Sequence, residues 1–118
     1  MCLSSMSIIL VLCWVVALRL FSMACALSAA QAADVAAGRA KADAACAVCH
    51  GPNGVSMLPN APHLAAQPAI YLVEQLKNYR SGKRGHEVMG VIAKPLTDAE
   101  IENLAAWYAS LQISVQAP

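Results

Sequence analysis

Cys46, Cys49 and His50 stand together in the stretch Cys46-Ala47-Val48-Cys49-His50. Two thiols separated by two small apolar residues lie within about one helical turn. Each can therefore add to a vinyl group of one porphyrin, while the adjoining imidazole reaches the iron from the same side. This is the spacing of a c-type haem attachment motif, and it implies one covalently bound haem c per chain. Other readings of the pair need more than the chain supplies. A thioredoxin-like dithiol requires a preceding strand in a βαβ setting, whereas Ala-rich helical sequence precedes Cys46. A zinc site requires a second Cys/His pair at ligand spacing. No cysteine follows Cys49, and His63 and His86 are too far apart to form that pair.

With His50 on one face of the iron, the chemistry depends on the other face. Met57, Met89, His63 and His86 are the candidates in the domain that carries the motif. Met57 follows Cys49 closely, in a segment leaving on the His50 side, and reads as a loop residue or core filler. Met89 lies farther along, flanked by Gly85, Gly90 and Pro95, and can approach from the opposite side. Ligation by His86 is the nitrogen alternative. A thioether opposite an imidazole raises the potential of the iron and leaves no position for a substrate or dioxygen.

The elements that must position these groups are helical. Asp34 is an N-cap for a first helix that runs through the Ala-rich segment to the motif. Gly38 within it costs about 1 kcal/mol relative to Ala, to be explained either by close approach of another helix or by simple tolerance. Gly51-Pro52-Asn53-Gly54 is turn chemistry, and Val55 to Gln67, with Pro59 and Pro62, reads as a loop. A second helix begins at Pro68 and ends at Gly82, with Ile70, Val73, Leu76 and Tyr79 as its apolar stripe. Lys77, Arg80, Lys83 and Arg84 gather at its end, complementing the helix dipole or serving a partner. Gly85 to Pro95 reads as irregular. Thr97-Asp98-Ala99-Glu100 is a capping box with Leu96 and Ile101 placed for a hydrophobic staple, and Ile101, Leu104, Ala105, Tyr108 and Leu111 continue at helical spacing. Trp107 and Tyr108 read as packing residues where helices cross. The fold class is all-α, three or more short helices wrapped around one haem.

The apolar fraction of 58% over 118 residues is inflated by the front of the chain. Ile8 to Leu18 is an apolar run of the length of a secretory h-region, and Ala30-Gln31-Ala32 fits the A-x-A cleavage rule. Residues 1–32 are therefore expected to be a signal peptide cleaved after Ala32, or else an uncut membrane anchor, and residues 33–118 the haem domain. Cys2, Cys13 and Cys25 leave with the segment, as does Arg19, so seven basic residues face seven acidic ones in the domain. That balance gives no reason to expect a nucleic-acid partner. A domain of this size gains only marginal stability from an apolar core, so folding and haem attachment are expected to be coupled.

Taken in chain order, Cys46 to Gly51, Pro62 to Ala65, Tyr71 to Gly82, Met89 to Ile101 and Leu104 to Leu111 resemble the class I c-type cytochromes. The likeness is strongest to the short bacterial group that includes cytochrome c553 and each half of cytochrome c4. The resemblance implies a small cytochrome c fold with crossed terminal helices, Gly38 facing the Trp107/Tyr108 region. It also implies a Pro62 carbonyl offered to the His50 ring nitrogen, with Met89 as the distal ligand. Cytochrome c4 has two haem domains, whereas this chain holds one motif, so the resemblance implies a monohaem protein. The implied function is that of a periplasmic electron carrier between dehydrogenase, cytochrome complex or terminal oxidase partners. A peroxidase-like or gas-binding haem protein, or an electron-entry subunit of a larger dehydrogenase, are the alternatives.

Overall fold

The Asp34 carboxylate accepts from the Ala37 backbone N–H at 3.0 Å, and this cap starts helix α1, Val35–Ala45. A computed structural model describes residues 32–114 and 116. The export segment expected over residues 1–32 lies outside them, Ala32 excepted. At Cys46 the helical course breaks (φ −118°, ψ −30°), and one further turn, α2 (Ala47–His50), carries the rest of the motif. After a long loop come α3 (Ala69–Ser81), α4 (Glu87–Ala93) and α5 (Asp98–Ser110). Among the described residues there is no strand, and no helix is long and apolar enough to cross a membrane.

The most extensive packing joins α1 to α5, with α3 laid against α5 and α4 against α3. The crossing of α1 and α5 is made by a missing side chain. A Cβ at Gly38 would collide with the backbone carbonyl of Asn103 and come within 3.1 Å of Trp107 Cβ. The glycine thus faces Asn103 and Trp107, and Tyr108 lies one step beyond it, against Gly54. Three polar contacts surround the crossing. The Asp34 N–H donates to Asn103 Oδ1 at 2.7 Å, Lys41 pairs with Glu100 at 2.8 Å, and the Arg39 guanidinium sits 5.3 Å from the centre of the Trp107 ring. The core beneath holds Ala42, Leu72, Ala93, Leu96, Ile101, Leu104, Ala105 and Tyr108.

The α5 capping box is formed in both directions: Thr97 Oγ1 accepts from the Glu100 N–H, and the Glu100 carboxylate accepts from the Thr97 N–H. Leu96 and Ile101, the staple pair, are both buried. Gly82 ends α3 in the left-handed region (φ 81°, ψ 1°).

Two expectations need correction. Gly85 to Pro95 is not irregular throughout, because α4 fills most of it, capped by His86 rather than by one of the usual cap residues. The α3 stripe is also displaced: Ile70, in the first turn, is 81% exposed, and Leu72 is the residue that enters the core. Val73, Leu76 and Tyr79 pack around it as expected.

Gly38→Ala should cost about 1–3 kcal/mol through overpacking, with no change in helix content, as read from the urea midpoint of the haem-loaded protein. Glu100 supplies a pH-dependent prediction. The Lys41 ammonium, followed by the Thr97 N–H, holds its carboxyl at about 2, below its ordinary 4.5. A lowered carboxylate pKa stabilises the fold above the unfolded value and loses that contribution as pH falls through the folded one. Glu100→Gln should therefore lower the urea midpoint at neutral pH, and the gap from wild type should close between pH 4.5 and about 2.

Candidate functional site

His50 is the last residue of α2, buried at 6% exposure. Its Nδ1 lies 2.8 Å from the carbonyl oxygen of Pro62. A carbonyl only accepts, so Nδ1 carries the proton and donates it, which leaves the lone pair on Nε2 available to a metal. The Pro62 contact implied by resemblance is therefore present, made by a loop residue that cannot itself donate a backbone N–H.

The loop is held in place by a buried knot. Ser56 Oγ donates to the Cys49 carbonyl at 2.8 Å and accepts from the Leu58 N–H at 3.0 Å. The Ser56 N–H donates to His63 Nδ1 at 2.9 Å. Farther along, Leu64 and Ala65 both donate to the Gly54 carbonyl. Ala66 takes the left-handed region (φ 59°), a conformation unfavourable for a residue with a Cβ. Its N–H donates to the Tyr108 carbonyl at 2.9 Å, which ties the loop to α5. None of the Ser56 contacts is readable from sequence, because a lone serine in a proline-rich segment has no pattern that points to its partners.

Both motif cysteines are free thiols, half-buried, with Val48 between them turned to solvent at 87% exposure. Burial pushes the Cys46 thiol up, opposed by the Tyr108 hydroxyl and by Lys41. A redox-active dithiol needs a lowered pKa on its attacking sulfur, which the burial of Cys46 opposes. Tyr108 reaches Cys46 from α5. Its hydroxyl is buried and has no partner in hydrogen-bond geometry, as is true of Trp107 Nε1; burial, then Cys46, push the hydroxyl up. Among the described residues no cluster of three or more His, Cys, Asp or Glu side chains could hold a metal, so a zinc site has no ligand set there.

Met89 is the third residue of α4 and half-buried, with its N–H donating to His86 Nδ1 at 3.2 Å. Met57 is 91% exposed in the loop, so it is not core filler. His63 is engaged by Ser56. The two thiols and an imidazole held in its ligating tautomer are the groups through which a covalent haem is attached.

Residues 35–112 match the family model described as cytochrome c. The chain belongs to the cytochrome c family. Membership implies covalently bound haem c, and Cys46, Cys49 and His50 are the residues of this cytochrome that fit it. It is 46% identical over 83 residues to cytochrome c4 of Thiocapsa roseopersicina, a match covering 70% of this chain and 43% of that one. It is 39% identical over 82 residues to cytochrome c-554(548) of Halomonas halodenitrificans, covering 67% of this chain and 98% of the relative. The solved cytochrome c4 of Acidithiobacillus ferrooxidans superposes with a TM-score of 0.65 at 32% identity, over 71% of this chain and 53% of that one. The cytochrome thus spans about half the length of its cytochrome c4 relatives and nearly all of the c-554(548) relative.

Ser56→Ala removes the group that satisfies both the Cys49 carbonyl and the Leu58 N–H. It should cost about 1–3 kcal/mol, measured as a lowered denaturant midpoint of the haem-loaded protein.

Proposed function

We propose that this chain is an exported, periplasmic cytochrome that carries single electrons between redox proteins of the periplasm or membrane, such as a dehydrogenase, a cytochrome complex or a terminal oxidase. Cys46 and Cys49 would hold the haem through thioethers, and His50 Nε2 and Met89 Sδ would be the protein ligands to its iron. When bound, the haem supplies a one-electron iron couple whose potential a thioether ligand raises.

The observation that carries this reading is the 2.8 Å hydrogen bond from His50 Nδ1 to the Pro62 carbonyl. A buried histidine held in that tautomer, immediately after Cys49, is prepared as a metal ligand. Hydrogen bonding of the distal ring nitrogen to a carbonyl fixes ring orientation and increases ligand basicity. The likeness to proteins named as cytochromes supports the carrier reading over an enzymatic one. For the distal face, Met89 is favoured by its half-buried place on a helix remote in sequence from the motif, whereas Met57 is open to solvent and His63 is engaged by Ser56. Two protein ligands leave no open coordination position, which suits outer-sphere transfer. Partners are then met through a small, transient interface.

The test is the visible spectrum of the protein made with its export and haem-maturation machinery, with and without carbon monoxide. The wild type should show low-spin c-type bands, a methionine–iron charge-transfer band when oxidised and indifference to carbon monoxide. Met89→Ala should keep the haem, lose that band, lower the potential and bind carbon monoxide. A wild-type iron that binds carbon monoxide directly would move the peroxidase-like or gas-binding reading to the front, and an unchanged spectrum in Met89→Ala would remove Met89 from the distal face.

A further inference from the structure

Met89 stands on a helix with little intrinsic reason to exist. α4 has seven residues, too few to persist in water on propensity, and Gly90 follows Met89 directly, at a further cost. The N–H groups of a first turn lack intrahelical partners, and Met89, as the third residue, owns one of them. That N–H is satisfied by the side chain of His86, whose backbone is extended (φ −165°, ψ 127°) and whose Nδ1 accepts from Met89 at 3.2 Å. Histidine is not among the favoured cap residues, which are Asn, Asp, Ser and Thr. Here, however, its ring is held from a second direction.

The imidazole of His86 stands edge-on to Tyr79, with centroids 6.2 Å apart and planes at 79°. Tyr79 is itself covered on one face by the Arg84 guanidinium at 4.7 Å. Arg84 is fixed by donation to Gln75 Oε1 at 2.6 Å and by its own N–H to the Asn78 carbonyl at 3.0 Å. Gln75, Asn78 and Tyr79 all belong to α3, which packs against α5. A short relay thus ties the backbone of Met89 to the rigid part of the fold.

We propose that His86 is a positioning residue for the Met89 thioether: it caps α4 at the Met89 N–H while its ring is braced by Tyr79, and so fixes where the sulfur is presented. The proposal rests on Met89 being the distal ligand. Without the cap the first turn of α4 frays and the sulfur is delivered less often to its bonding position. An added ligand then competes more effectively, and most of all in the oxidised protein, where the soft thioether is the poorer match to iron.

The experiment compares haem-loaded wild type, His86→Ala, His86→Asn, Gly38→Ala and Met89→Ala, reading the methionine–iron charge-transfer band and the affinity of the oxidised protein for added imidazole. His86→Ala should weaken the band and raise imidazole affinity about fivefold to tenfold, the size expected for loss of one cap. His86→Asn, which can accept from the same N–H, should restore both. Gly38→Ala, which lowers stability without touching α4, should leave both at wild-type values. Wild-type behaviour in His86→Ala would overturn the proposal, as would a Gly38→Ala variant that matched His86→Ala, because the effect would then be one of general stability. Failure of His86→Asn to restore the band would overturn it too and would make the imidazole itself the functional group, including as an iron ligand. If Met89→Ala keeps the wild-type band and imidazole affinity, the distal assignment fails and the proposal falls with it, a result distinct from any given by the His86 variants alone.

Discussion

The crossing of α1 over α5 is the constraint from which the rest of the structure hangs. Two helices separated by about 8–10 Å in ordinary packing come closer here because Gly38 presents no side chain to the Asn103 backbone. That approach brings Asp34 to Asn103, Lys41 to Glu100 and Arg39 to Trp107, contacts spread along two turns of α1. Each surface pair is worth little by itself, but together they fix the rotation of α1 about its axis. α1 runs directly into the motif, and Cys46 caps its end. It stands against Tyr108, one turn beyond the residues that make the crossing.

From this fixed point the site is built by a loop rather than by a second rigid element. Pro62 must reach His50 across an irregular segment, and irregular segments are ordinarily mobile. Here the segment is tied at three places: to the motif through Ser56 and the Cys49 carbonyl, to itself through the Gly54 carbonyl, and to α5 through Ala66 and the Tyr108 carbonyl. Ala66 keeps a left-handed backbone, and the surrounding contacts are what hold it there. An imidazole held this firmly has little freedom to change position.

What the sequence disclosed, and what it hid, follows from the range of the interactions involved. The capping box at Thr97 and Glu100, the cap at Asp34 and the stop at Gly82 are local, written within four residues of themselves, and each stands where expected. The motif was readable because its chemistry is also local. The helix Glu87–Ala93 was hidden because it is short, contains Gly90, is followed by Pro95 and begins at a histidine, each a signal against a helix. What holds it is Tyr79 and the packing of α3, which lie outside any local window. The α3 stripe misled for a related reason: Ile70 has the right spacing, but α5 covers the face centred on Leu72. Gly38 could be suspected of a close approach from its cost alone, yet only the folded chain identifies Asn103 as the partner.

The polypeptide's own core is thin. Among the described residues the buried apolar ones include four alanines, and of the larger side chains there only Ile101 and Leu104 are almost fully enclosed. A covalently attached haem, as family membership implies, adds a large apolar surface to a core of this kind and closes a link between α1 and α2 that the thiols alone leave open. Attachment at Cys46 also converts a buried thiol, whose ionised form its surroundings disfavour, into a thioether that carries no proton to lose. The same event that makes the chain redox-active therefore removes an ionisable group from its core and supplies the apolar contact that the helices do not provide for one another.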